Sequence, residues 1–200
     1  MTAAATIGAR CLVSLTGCAA IKPADTHTQK YMLNAVPADP PTESKHAATL
    51  LVLAPETAPA YATPRIAYTA SKNQIAYFSQ NEWAQTPSQI MLPLIVETLL
   101  KTHYFSAVLT PPYFGRSSYL LRTEIIELEQ DFTTDPAILR LTVRADLRRE
   151  TFSQRIAAKE FSVEEPFGAR NPHAGVVAAN AAAERLLREL SRFVIDNARQ

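Results

Sequence analysis

Cysteine is nearly missing from this chain of 200 residues: Cys11 and Cys18 are the two, both within the first 18 positions. No disulfide framework can brace the rest of the chain, and no thiolate metal site can form there. Glycine is scarce as well, five against fourteen proline, and no Gly-rich phosphate loop occurs. Any nucleotide hydrolysis in which the protein takes part therefore belongs to another chain. No segment after the first residues approaches the roughly 18 apolar residues read as a membrane span. Twenty Lys and Arg against nineteen Asp and Glu leave almost no net charge and no basic block, so nucleic-acid binding has no electrostatic footprint. The four histidines, His27, His46, His103 and His173, form no H-E-x-x-H pair, and Gly115-Arg116-Ser117 lacks the frame of a nucleophile elbow. Neither a catalytic centre, nor a metal, nor a cofactor is expected.

What is present begins at the N-terminus. Arg10, the apolar Cys11-Leu12-Val13 and then Leu15-Thr16-Gly17-Cys18 follow the order of a secretory signal: charge, apolar stretch, small residues before a cut. The last four resemble a bacterial lipobox. Cys18 would then receive a diacylglycerol on its sulfur and become the acylated amino terminus, leaving the mature chain without a free thiol. This divides the sequence into a signal peptide over 1–17, a lipidated tether over 18–30 and a single domain over 31–200. Ala19, where an Asp would hold an enterobacterial lipoprotein in the inner membrane, points to the outer membrane. The competing reading is a helix end with a stray cysteine.

The domain reads as mixed α and β. Tyr31-Met32-Leu33 predicts a short strand, and Asn34 to His46, rich in proline and charge, a loop. Thr49 to Leu53 is an apolar run stopped by Pro55, hence a buried central strand. Arg65–Tyr68 and Gln74–Phe78 predict a hairpin turning through Thr69 to Asn73. Thr86, Pro87 and Gln89 give a capping box with proline at the first helical position; Met91, Leu92, Ile95, Leu99 and Leu100 would form the buried face, and Pro93 should kink the helix. Leu139, Leu141, Val143, Ala145 and Leu147 alternate with Arg140, Thr142, Arg144, Asp146 and Arg148, a strand with one dry and one wet face. Tyr119 to Gln130 should pair with it, and the doublet Ile125-Ile126 breaks alternation as a bulge would. Gln154 to Val163 is more polar, an edge strand. Asn171 and Pro172 start a closing helix with its stripe at Val176, Ala179, Ala183, Leu186, Leu190 and Phe193.

Three surface candidates follow. Trp83 is the only tryptophan, either a core residue between hairpin and helix or a partner anchor of the kind found in interface hot spots. Pro111-Pro112-Tyr113-Phe114-Gly115 is an aromatic loop stiffened by proline. Tyr113 and Phe114 either touch a partner or a lipid, or fold back on the core. The Arg140, Arg144, Arg148 row is a solvated strand face or an intersubunit surface.

Taken together, the lipobox, Tyr31-x-Leu33, Arg65-Ile66-Ala67-Tyr68, Ile75-Ala76-Tyr77-Phe78, Asn81-Glu82-Trp83-Ala84 before a Pro-capped helix, the meander and the Ala/Leu-rich closing helix resemble the ABC-type transport auxiliary lipoproteins, the PqiC-like family of Gram-negative bacteria. The resemblance implies an α/β fold, a mixed sheet flanked by two long helices and similar to the N-terminal domain of TolB. It also implies a non-enzymatic lipoprotein facing the periplasm. Such proteins work with an MCE-domain protein, a permease and an ATPase that move phospholipid or other hydrophobic molecules between the membranes. Ring-shaped oligomers occur in the family, so a homo-oligomeric ring is among the expected assemblies. The alternatives are an outer-membrane lipoprotein that regulates a peptidoglycan synthase, a role some TolB-like folds share, and a periplasmic hydrolase, which the missing motifs disfavour.

Overall fold

A computed structural model describes residues 27–149 and 154–199. The signal segment and Cys18 lie outside the described residues. Nine strands and two helices follow in the order β1 (Gln29–Tyr31), β2 (His46–Val52), β3 (Glu56–Thr57), β4 (Arg65–Ser71), β5 (Gln74–Trp83), α1 (Pro87–Lys101), β6 (Phe105–Leu109), β7 (Tyr119–Asp131), β8 (Ala137–Arg149), β9 (Gln154–Phe167) and α2 (Pro172–Ala198).

The long strand β7 organises one mixed sheet. One of its edges pairs antiparallel with β8 from Tyr119↔Arg149 to Asp131↔Ile138. Its other edge takes three parallel partners in succession: β2 at 119–121, β3 at 124–125 and β4 at 129–131. Strand β6 lies beyond β2, β5 and then β1 lie beyond β4, and β9 pairs with β8 alone. The register of β7 and β8 slips between Ile125 and Glu127, so Ile126 is the extra residue of the anticipated bulge. The slip changes the phase of β7. Leu121, Thr123 and Ile125 face inward before it, Leu128 and Gln130 after it.

Both helices cover one face of the sheet and touch each other. The alternating residues of β8 supply the floor: Leu139, Leu141, Val143, Ala145 and Leu147 are all buried, and α2 packs on them through Ala179, Ala182, Ala183, Leu186 and Leu190. Alanines at the contact let the helix axis come close to the strands. Asn171 caps α2 by accepting from the Ala174 N–H at 2.9 Å, and Pro172 occupies its first turn. A Cβ at Gly175 would run into the Gln130 side chain. That side chain donates to the Pro172 carbonyl at 3.1 Å, which joins β7 to the start of α2. In α1 the Thr86 N–H donates to Gln89 Oε1 at 3.1 Å, and the helix is continuous through Pro93.

Several expectations shift. Leu100, expected on the buried face of α1, is half exposed; Ile90, Leu94 and Thr98 take the inner positions instead. The hairpin turns through Lys72-Asn73 rather than from Thr69, with Asn73 left-handed at φ 63°. Strand β1 claims Gln29 and Lys30, residues assigned to the tether. Strands β3 and β6 went unread in the sequence.

The segment after β1 is laid along the whole of α2. The Tyr31 ring lies 6.0 Å from that of His173. Asn180 Oδ1 accepts from the Asn34 and Ala35 N–H groups at 2.8 and 3.1 Å, and its Nδ2 donates to the Met32 carbonyl at 3.2 Å. Asp39 pairs with Arg188 at 3.0 Å and Glu43 with Arg199 at 2.5 Å. The chain thus enters the fold beside the start of α2 and reaches β2 beside its end. At that far end the Tyr119 hydroxyl donates to the Ala198 carbonyl at 2.6 Å.

Candidate functional surfaces: an aromatic arm and a charged sheet face

The arm connects β6 to β7 at the end of the molecule where α2 terminates. Its base is bolted to β2: the Ser118 N–H donates to the Thr49 carbonyl at 3.1 Å and to Thr49 Oγ1 at 3.0 Å, and the Thr49 N–H donates to Ser118 Oγ at 3.2 Å. Beyond that base the Tyr113 hydroxyl donates to the Arg116 carbonyl at 3.4 Å, and its ring lies where a Cβ on Gly115 would collide. Tyr113 is therefore folded onto its own loop and 38% exposed, whereas Phe114 stands 97% exposed. Beside the arm a groove of about 470 Å³ is lined by His46, Arg116, Ser117, Ser118, Tyr119 and Arg149.

Of the two readings of Trp83, the structure places the side chain in the core, 2% exposed at the end of β5. A partner could not touch it without opening the fold. His46 and His103 have structural surroundings. His46 stacks on Tyr104 at 5.5 Å and accepts from the Ala48 N–H through Nδ1 at 3.2 Å. His103 holds the left-handed position after α1 at φ 55°.

The second surface is the face of the sheet turned away from the helices. Register places Glu124, Arg144 and Glu160 in one row and Glu129, Arg140 and Glu164 in another. Arg144 pairs with Glu124 at 3.0 Å and Glu160 at 3.1 Å; Arg140 pairs with Asp131 at 2.7 Å and Glu164 at 3.5 Å. Asp146 receives Arg148 at 2.9 Å and Arg155 at 2.6 Å. The expected arginine row is thus tied to carboxylates of its own sheet. Burial raises the carboxyl of Asp131, yet the hydrogen bonds from Thr133 and the charge of Arg140 outweigh it and hold the pKa below the ordinary value. Asp146 is lowered in the same way, its burial overcome by Arg148 and Arg155.

A loop closes over part of this face. The Tyr61 hydroxyl donates to Glu129 Oε2 at 3.0 Å and Thr69 Oγ1 to Glu129 Oε1 at 3.2 Å, while Thr142 Oγ1 donates to Glu127 Oε2 at 3.2 Å. Burial, then the neighbouring Glu129 charge, pushes the Glu127 carboxyl up; burial and Glu129 likewise raise Tyr61. Sequence reading missed this cluster. Its signal was the phase change at the bulge, which turns Glu127, Glu129 and Asp131 to the same face as Arg122 and Glu124. Among the described residues no group of His, Cys, Asp and Glu is placed to hold a metal ion, and no helix is long and apolar enough to cross a membrane.

The fold is a mixed sheet with helices on one side, a displayed aromatic loop and a charged face whose groups are paired. Residues 31–191 match the family of ABC-type transport auxiliary lipoprotein components, and the chain belongs to that family. Among solved structures it is similar to the protein XCC0632 of Xanthomonas campestris, with a TM-score of 0.79, 19% identity, and coverage of 86% of this chain and 98% of that one. It is also similar to the hypothetical protein CT253 of Chlamydia trachomatis, with a TM-score of 0.50, 10% identity, and coverage of 76% and 98%. At these identities the likeness establishes the fold. Among curated proteins nothing matches.

Proposed function

We propose that this protein is a non-enzymatic accessory subunit of an MCE-type ABC system, lipid-anchored through Cys18 to the outer membrane and facing the periplasm. The observation that carries the reading is the family match over 31–191 directly behind Leu15-Thr16-Gly17-Cys18. Its partners are the MCE-domain protein, the permease and the ATPase, and the cargo is phospholipid or another hydrophobic molecule. Such cargo needs a sheltered route across an aqueous space, since each CH₂ exposed to water costs about 0.8 kcal/mol. A tethered subunit serves that route by docking the end of a conduit, a task for shape and stiff loops rather than a nucleophile.

Affinity capture of the full chain from cross-linked cells tests this: an MCE-domain protein and permease should co-purify. Capture of a peptidoglycan synthase in their place overturns the reading. Mass spectrometry should find a triacylated Cys18 at the mature terminus. A Cys18→Ser variant that still partitions with membranes removes the anchor, and recovery of the wild type solely with inner membrane removes the location.

A further inference from the structure

We propose that the outer edge of β9 docks an extended protein segment in which basic and apolar residues alternate. Two of its cations, four residues apart, lie opposite Glu160 and Glu164. The proposal does not depend on the accessory-subunit reading; it comes from the sheet.

Strand β9 runs for fourteen residues and pairs with β8 alone. Among the described residues no backbone–backbone hydrogen bond reaches its other side. The remaining outer strands are short, three residues in β1 and five in β6. A long open edge displays a row of N–H and C=O groups to which a further strand can be added. What blunts this edge stands at its ends. The β8–β9 register slips between Leu147 and Arg148, which makes Ile156 the extra residue of a bulge. Pro166 has no N–H to offer. Arg185 of α2 reaches Glu165 at 2.7 Å and the Glu164 carbonyl at 3.4 Å. Between these devices the stretch 157–163 is open.

The side chains set what fits there. On the helix side Phe161 and Val163 are buried. The Phe161 ring lies 5.6 Å from that of the partly buried Phe193 on α2, and the Lys159 ammonium is held over Phe161 at 4.7 Å. Apolar residues of an added strand would continue that layer. On the opposite side the cross-strand rows run Glu124, Arg144, Glu160 and Glu129, Arg140, Glu164, so both end on an acid at the edge. Arg144 is shared between Glu124 and Glu160, and Arg140 between Asp131 and Glu164: two guanidinium groups serve four carboxylates. Glu160 and Glu164 keep 51% and 59% of their side chains exposed. The next position in each row calls for a cation. A second copy does not provide it. Two-fold pairing of β9 with itself sets Glu160 against Ala158, Glu160, Ser162 or Glu164 of the copy, none of them basic. Strand β1 carries a single lysine and β6 no charge.

The test uses the full chain and a blocked nine-residue peptide. Its even positions are valine, positions three and seven are lysine, and the rest are threonine. Amide hydrogen exchange during titration should show saturable protection over 157–163, with the amides of β1 and β6 unchanged. A peptide with glutamate in place of both lysines should bind at least about tenfold more weakly, and the difference should shrink in high salt. Glu160→Lys combined with Glu164→Lys should invert the preference. If that variant does not fold, the two peptides on the wild-type chain decide the matter. Absence of saturable protection, protection elsewhere, equal affinity for the two peptides, or a folded double variant that still prefers lysine overturns the proposal. Protection of 157–163 that grows with protein concentration alone also overturns it, since it gives the edge to a second copy.

Discussion

The same strands, β7, β8 and β9, present two unlike surfaces. Toward the helices, Leu121, Ile125, Leu139, Leu141, Val143, Leu147, Phe161 and Val163 form a dry layer. Toward the other side, one residue further along each strand, carboxylates and guanidinium groups alternate in paired rows. The contrast separates the face that makes the fold from the face turned to water. Dispersion and burial act on the first face, where every lost methyl leaves a void. On the second, exposed ion pairs offset one another in water and contribute little. Two carboxylates cross this division: Glu129 and Asp131 belong to the charged face but are themselves buried.

Substitutions should grade accordingly. Leu141→Ala, under α2, should cost about 2–5 kcal/mol and lower the melting temperature by about 2–4 °C for each kcal/mol, the largest effect in the set. Arg140→Ala strips Asp131, whose side chain is 5% exposed, of its ion pair, and should cost about 1–3 kcal/mol at neutral pH. The pKa of Asp131 is lowered in the fold, so this contribution is present above the unfolded value of 3.8 and lost as pH falls through the folded one. Urea titrations should show wild type and variant converging in acid; a constant gap would remove the electrostatic account. Arg144→Ala, between two half-exposed glutamates, should cost under about 1 kcal/mol and less still in high salt. Glu127→Gln should raise the melting temperature at pH 7 by no more than about 2 °C. The Glu127 carboxyl is raised in the fold, so its ionised form is a burden above the folded pKa that vanishes below the unfolded 4.5. A gain that persists at pH 3 would count against that cause. Phe114→Ser should leave stability within about 0.5 kcal/mol, the smallest change of all.

Much of this arrangement was legible in the sequence where a local rule governs. Strict alternation marked β8, Ile125-Ile126 marked the bulge, and Thr86, Pro87, Asn171 and Pro172 marked the helix starts. What escaped depends on distant neighbours. Phe105–Leu109 is a strand because β2 lies beside it, and nothing in five residues following a helix end announces that. Glu56-Thr57 is a strand for two residues only because β7 passes. Leu100 fits the helical spacing, but it sits one step round the helix from the stripe of Met91, Ile95, Leu99 and Thr102 that is buried. At the arm, composition identified the loop, while the separate fates of Tyr113 and Phe114 hung on the packing over Gly115. Cys18 rests on sequence alone.

The strap along α2 gives the molecule a load path. A pull between the start of β1 and the 110–118 loop runs parallel to α2 and to β7. The first structure to feel it is a strand of three residues, which would peel readily by itself. Asn180, bonded to Met32, Asn34 and Ala35, and the Asp39–Arg188 and Glu43–Arg199 pairs pass the tension to α2 at successive points. From there it spreads into the β7–β8 ladder, whose bonds lie across the line of force. Such a ladder is sheared as a unit rather than unzipped bond by bond. That geometry gives the fold a resistance to traction along α2 that its equilibrium stability alone does not describe.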